Sequence, residues 1–257
     1  MSNFAKKVNQ IKHTLSISTF KAEIIIEGIH DWSELNSLAD IKEWFIDKQK
    51  NLSLDLEDIP LLECRGWNLD TNTGFISHKT GEFFYIQGVR IKSSGSREVG
   101  DSGWDQPMMT QVGFNGGILG LVRKKINEIP YYLVEAKAEP GNPDGIQLSP
   151  TLQATFSNLK AAHKGRKPHY SGIFEKYKDV NHSQKFENEK LLFRQWMSED
   201  GGRLHLKRNL GMLVEVQHDY HIDMKPNYIW MTLYQIKELI KENSWINPHI
   251  RGIISSL

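Results

Sequence analysis

The sequence predicts an α+β domain, many strands with a few peripheral helices. Three observations carry this. Between residues 81 and 216 the apolar pattern is mostly of period two, as in half-buried strands. Helical spacing is legible at two places, one before and one after that stretch. With 257 residues, 39% hydrophobic and 25% charged, the chain can bury a sizeable core, which excludes disordered and collagen-like classes.

The elements follow in order. Met1 to Ile11 is polar, with no apolar run of the kind a secretory signal needs, and residues 1–28 read as an N-terminal extension to one domain spanning 1–257. Leu38, Ile41, Trp44 and Phe45 share a helical face with Ser37 as cap. The turn-prone Asp70 to Gly74 precedes a strand over Gly81 to Ile86. Tyr131 to Glu139 reads as a strand whose apolar face is Tyr132, Val134, Ala136 and Ala138. Pro140, Pro143 and Pro150 with Gly141 and Gly145 mark a stiff loop. Leu152 to Asn158 fits a strand better than a helix starting at Ser149-Pro150. Leu192 to Met197 alternates, and Leu204, Leu206 and Met212 to Val216 extend the strand set. Leu233, Ile236, Leu239 and Ile240 form the second helix, with Thr232 and Gln235 as a capping box.

Composition excludes several functions. The 32 Lys+Arg against 31 Asp+Glu leave a net charge of +1, unlike a general nucleic-acid binder. The single Cys64 excludes an internal disulfide framework and a Cys-rich zinc site. No apolar run reaches the ~20 residues that span a bilayer. The expectation is a cytoplasmic protein with no nucleic-acid or membrane partner. Charge is uneven, however. Ile29 to Glu63 holds nine acids against three lysines, and Lys160 to Arg208 holds twelve bases against six acids, a basic region where a phosphate would sit.

No P-loop and no serine nucleophile elbow are present. Gly113, Gly116, Gly117 and Gly120 lack the dinucleotide-binding spacing and read as a bend that lets backbones approach. His218, His221 and Asp223 fall in a loop marked by Pro226 and Asn227, so no metal site is expected there. The densest polar constellation is Glu135-Ala136-Lys137-Ala138-Glu139. On a strand it places carboxylate, ammonium and carboxylate on one face, where the cation tunes proton affinity. Ser149 to Thr155 supplies a second polar face, and the two together would line a cleft. Aromatics at polar boundaries (Trp67, Trp104, Tyr132, Tyr170, Trp230) offer stacking planes for a nucleobase, and Arg203, Lys207 and Arg208 offer cations for a diphosphate.

Several strings in these regions, in this order, resemble the NDP-hexose 2,3-dehydratase family. They are Trp104-Asp105-Gln106-Pro107, Gly116 to Gly120, Glu135 to Asn142, Leu148 to Asn158, and Ser198-Glu199-Asp200-Gly201-Gly202-Arg203. The likeness runs from about Trp44 to Arg251. It implies a Nudix-like mixed sheet with flanking helices and no Nudix chemistry; Gly28, Glu34 and Lys42-Glu43, the nearest approach to a Nudix box, lack its Arg and paired glutamates. It also implies removal of water across C2–C3 of a dTDP-linked 4-keto-6-deoxyhexose, with no cofactor. Within that reaction Glu139 is assigned as base, Lys137 as enolate stabiliser, and Glu135 or His78 as acid. Gln153, Thr155 and Asn158 would orient sugar hydroxyls, Arg203 and Lys207 would hold the diphosphate, and Trp67 or Trp104 would stack the base. The same strings add Gln106 and Glu199 to the substrate-binding set, and Lys207-Arg208-Asn209 adds Asn209. Family chains are nearly twice this length and carry two modules, which makes a homodimer the expected assembly here. After Lys207-Arg208-Asn209 this chain has Leu210-Gly211 where the family tends to have Arg-Asn. The competing readings are an epimerase or isomerase using the same enolate, and a silent nucleotide-sugar binding module.

Overall fold

Among the described residues three α-helices precede the first strand, each started by a serine whose hydroxyl accepts an otherwise orphaned backbone N–H. Ser2 caps α1 (Asn3–Leu15), Ser18 caps α2 (Thr19–Ile29), and Ser37 caps α3 (Leu38–Asn51), where Asp40 returns the bond to complete a capping box. Helix α3 is the one the sequence predicts. Helices α1 and α2 occupy the stretch treated above only as an extension. Phe4 and Val8, and Ala22 and Ile26, are spaced four apart on one face of their helices and are buried. The structure, a computed structural model, describes residues 1–52, 54–92, 103–114, 116–160, 167–179, 186 and 188–257.

The strands are β1 (Trp67–Leu69), β2 (Ile76–His78), β3 (Phe84–Ile91), β4 (Trp104–Gln111), β5 (Gly117–Ile126), β6 (Ile129–Ala138), β7 (Ile146–Ser149), β8 (Leu152–Thr155), β9 (Glu189–Ser198), β10 (Leu204–His205), β11 (Arg208–Val216) and β12 (Tyr228–Met231). Short helices α4 (Phe156–Leu159), α5 (Ser171–Glu175), α6 (Leu233–Leu239) and α7 (Pro248–Ile254) complete the α-helices among the described residues. One sheet runs β1-β2-β3-β4-β10. The other, seven-stranded, runs β12-β6-β5-β11-β9, with β7 added beside β6 and β8 beside β5. Pairs β5·β11 and β4·β10 are parallel and the other pairs antiparallel, so both sheets are mixed. The chain therefore has a mixed α/β fold with helices flanking a sheet.

Alternation along β6 divides the core. Tyr132, Val134 and Ala136 join one cluster with α3, α6 and α7, while Leu133 joins a second on the opposite face with Phe174, Leu210 and Met212. Three sequence readings change. Leu152 to Asn158 is strand to Thr155 and helix thereafter, because the Thr155 hydroxyl accepts the Asn158 N–H and caps α4. The strand expected from Gly81 begins at Phe84, since Phe83 turns the chain with φ 75°. Leu206, with φ 53° and 70% exposed, interrupts the strand expected through it. Among the described residues no helix is long and apolar enough to cross a membrane.

The glycine-rich stretch does serve close packing. Gly116 has φ 76°, and a Cβ there would lie 2.5 Å from the Arg208 carbonyl oxygen. At Gly120 a Cβ would meet the Phe174 ring at 2.5 Å. Strand β5 can then lie flush against α5.

Helix α2 docks through a buried ionic cluster rather than apolar contact alone. Arg123 of β5, fully buried, donates to Glu23 at 2.6 Å and Glu27 at 2.9 Å and also pairs with Glu215. Tyr132 donates to Glu27 at 2.9 Å, and Lys125 to Glu23 at 2.6 Å. Burial pushes the Glu27 carboxyl up, against the pull of Arg123. Glu23 lies below its ordinary range: burial opposes the shift, and Arg123 and Lys125 overcome it.

Candidate active site

A split in the larger sheet creates the site. Strands β5 and β6 pair from Val122 to Ile126 against Leu133 to Ile129. There Thr151 wedges between them, its hydroxyl accepting from the Val122 N–H at 2.9 Å and donating to the Leu133 carbonyl at 2.5 Å. Beyond the wedge β7 takes over as partner of β6, and β8 as partner of β5. The polar faces of β6 and β8 consequently confront one another across a gap.

That gap is a cleft of about 240 Å³, lined by Lys137, Glu139, Gln153, Thr155, Asn158, Glu199, Lys207 and Asn209, together with Phe84, Leu119, Ala154 and His249. Eight of the predicted site residues therefore converge from β6, β8, α4 and the β9–β11 corner. The Gln153 amide donates to both Glu139 oxygens at 3.1 Å. Lys137 lies 3.6 Å from Glu139 and donates to the Gln153 carbonyl at 3.2 Å. In the same cleft the Lys207 ammonium, nearly buried, donates to Gln111 at 2.5 Å and Asn209 at 3.0 Å, and Asn209 in turn donates to Glu199. Burial pushes Lys207 down, against the pull of Glu199. Glu199 is pushed up, chiefly by burial with Lys207 opposing and Glu139 adding a smaller push.

Six predicted residues do not line the cleft. Glu135 sits further along β6, hydrogen-bonded to Tyr228, and its carboxyl is pushed up to about 7 by burial, with Lys137 and the Tyr228 bond opposing. His78 bonds to Thr80 at 2.8 Å and meets Trp67 edge to face on the smaller sheet. Trp104 donates to Gln106 at 3.0 Å, and Gln106 donates to the Gly202 carbonyl at 2.7 Å, tying the β9–β10 turn to β4. Arg203 is 84% exposed and pairs with Asp200. The basic excess is likewise mostly spent elsewhere. Lys176 pairs with Glu189, Lys167 with Glu175, and Arg208 covers Trp196, while Lys164, Arg166 and Lys185 lie outside the described residues. His221 and Asp223 border a separate, mostly apolar hollow of about 320 Å³ with Tyr170 and Tyr220.

The sequence reading missed His249, Phe84, Gln111 and Asn247. His249 had a signal. Asn247-Pro248 is a helix start with an Asn cap and Pro in the first turn, which places the next residue at an element end. The packing that brings it into the cleft joins distant parts of the chain, which periodicity does not encode.

The family model for NDP-hexose 2,3-dehydratase matches residues 38–257, which include every residue lining this cleft. The chain belongs to the NDP-hexose 2,3-dehydratase family. Curated relatives include the dTDP-4-dehydro-6-deoxy-alpha-D-glucopyranose 2,3-dehydratase of Saccharopolyspora spinosa, 31% identical over 83% of this chain and 41% of its own length. The enzyme of the same name from Amycolatopsis orientalis is 32% identical over 85% of this chain and 44% of its own length. The chain thus spans less than half the length of these relatives. Among solved structures, an ADP compounds hydrolase aligns with 67% of this chain and 83% of its own at 9% identity and a TM-score of 0.35, too remote a likeness to characterise the site.

Proposed function

We propose that this module removes water across C2–C3 of a dTDP-linked 4-keto-6-deoxyhexose by way of a C3 enolate, using its own side chains and no cofactor. The observation that carries the reading is the pairing of Glu139 with Lys137 in a cleft that Lys207 also lines. The C3 proton is α to the C4 ketone. Glu139, which receives both Gln153 N–H bonds, would accept it. Negative charge then develops on the C4 oxygen, and the Lys137 ammonium is the cation to stabilise it. The C2 hydroxyl, β to the ketone, leaves as water, and the enol product tautomerises to a 3,4-diketo sugar. Lys207 would hold the diphosphate, with Thr155, Asn158, Glu199 and Asn209 orienting the sugar. Glu135, near half-protonation at neutral pH, is a proton reservoir behind Lys137 rather than a group in contact with substrate.

The mixed sheet with its parallel β5·β11 pair and flanking helices is compatible with a Nudix-like arrangement, which we include in the proposal. Residues 1–257 are proposed to act as one unit, with 1–28 an added element. We propose further that two copies associate in the cytoplasm. Leu54, Leu56, Ile59, Leu61 and Leu62 are all more than 40% exposed within one short stretch, and an apolar surface of that kind usually marks an interface. Light scattering would give twice the chain mass; a fully active monomer would refute the dimer.

Incubation with dTDP-4-keto-6-deoxyglucose, followed by mass analysis, tests the function. A product lighter by one water supports it. An isomer of unchanged mass would indicate the epimerase reading, and unaltered sugar the binding module.

A further inference from the structure

The dehydration needs a proton donor at the C2 oxygen, and neither group first considered for that role lines the cleft. We propose that His249 is the general acid that protonates the departing C2 hydroxyl. This rests on the dehydratase reading above.

Three observations place the ring there. His249 lines the same cleft as Glu139, Lys137 and Lys207. Among the described residues its imidazole makes no hydrogen bond, so both ring nitrogens are available to a ligand, unlike Gln153 or Asn209, whose side chains are engaged. Its backbone is fixed to the base. The Asn247 side chain accepts the His249 N–H at 2.7 Å and donates to Gln153 at 3.4 Å, and Gln153 holds Glu139. Donor and base are thus referred to one short hydrogen-bonded frame. Alignment at this level is what makes acid–base catalysis effective.

The electrostatics set when the ring carries its proton. Burial, Lys137 and Lys207 hold it below the ordinary histidine range, and Glu139 pulls the other way. A diphosphate lying on Lys207 cancels one of the opposing cations and adds negative charge, which favours the imidazolium. The acid is therefore armed by substrate. In the step itself the C3–H bond breaks and its proton goes to Glu139, leaving the electron pair as the C4 enolate. The enolate collapses to expel the C2 oxygen, which takes the His249 proton and departs as water. The imidazole is left neutral and is recharged from solvent.

A substrate whose leaving group needs no proton isolates this role. The His249→Gln variant is assayed on the natural 2-hydroxy sugar and on its 2-fluoro-2-deoxy analogue, which expels fluoride. Water loss should fall by about 10²–10⁴-fold, fluoride release should stay near the wild-type rate, and solvent deuterium should still enter C3 of the hydroxy sugar. Retained exchange also shows that the variant folds. Equal loss on both sugars, loss of C3 exchange, or undiminished water loss would each overturn the assignment. A wild-type protein that neither exchanges C3 nor releases water or fluoride would instead refute the dehydratase reading, and with it this role.

Discussion

Glu135 is held in the fold at a cost, and replacing it with Gln should reveal that cost as a function of pH. Its carboxyl is pushed from 4.5 to about 7, chiefly by burial on β6, with Lys137 and Tyr228 only partly offsetting the effect. A displacement of that size, at about 1.4 kcal/mol per tenfold change in proton affinity, corresponds to on the order of 3 kcal/mol. The sign follows from which state ionises first. Well below 4.5 the group is protonated in both folded and unfolded chains and costs nothing. Between 4.5 and about 7 the unfolded chain ionises first, so stability falls as pH rises, and above about 7 the full penalty is present. Gln carries no charge and avoids the penalty. Urea unfolding of both proteins should therefore show Glu135→Gln stabilised by on the order of 3 kcal/mol near pH 8, with the difference shrinking toward zero near pH 4. A difference that does not change with pH would mean that Glu135 is solvated in the native state, and the proposed role of buried proton reservoir would fail.

Other outcomes follow from the same geometry. Glu139→Gln should lower turnover by about 10²–10⁴-fold while dTDP binding persists, measured by steady-state kinetics and ligand titration. Lys207→Met should abolish the rise in melting temperature given by dTDP, whereas Arg203→Ala, whose side chain is exposed and paired with Asp200, should retain it. Arg123→Met strands Glu27 in the core without its cation. It should cost about 3–5 kcal/mol, or roughly 6–20 °C in melting temperature by calorimetry, and an unchanged Tm would show that the cluster does not anchor α2. Turnover should survive chelation, and its loss with recovery on adding a divalent ion would contradict the cofactor-free chemistry.

Much of the candidate site is legible in the sequence because strands encode it simply. Glu135, Lys137 and Glu139 alternate with alanines, and period two alone puts them on one face of β6 and the residue that follows it. Gln153 and Thr155 follow by the same rule on β8. Periodicity does not say where a strand stops pairing. The Thr151 wedge that parts β5 from β6, and so turns two polar faces into a cleft, is a tertiary event involving one hydroxyl and two backbone groups. For the same reason Glu135 reads as equivalent to Glu139, yet it is drawn behind the cleft to Tyr228. His249 and Phe84 reach the site from distant elements, beyond the range of any local pattern. Lys207 and Arg203 look alike as neighbouring cations, but a two-residue strand and the positive-φ Leu206 separate them, turning one inward and leaving the other in solvent. Helices α1 and α2 show the opposite case. Their apolar spacing was readable, while the Arg123 cluster that docks α2 joins a charge in one element to charges in another.

The central claim is that this single module forms an enolate at C3 and expels the C2 hydroxyl. Proton NMR of dTDP-4-keto-6-deoxyglucose incubated in heavy water with the wild-type protein, and in parallel with Glu139→Gln, tests it directly. With the wild type the C3 proton signal should be lost as a 2-deoxy-3,4-diketo product, or its hydrate, appears with deuterium incorporated at C2. With the variant both changes should slow together. A C3 proton that persists unexchanged while the sugar remains intact, or exchange at C3 with inversion and no loss of water, would contradict it.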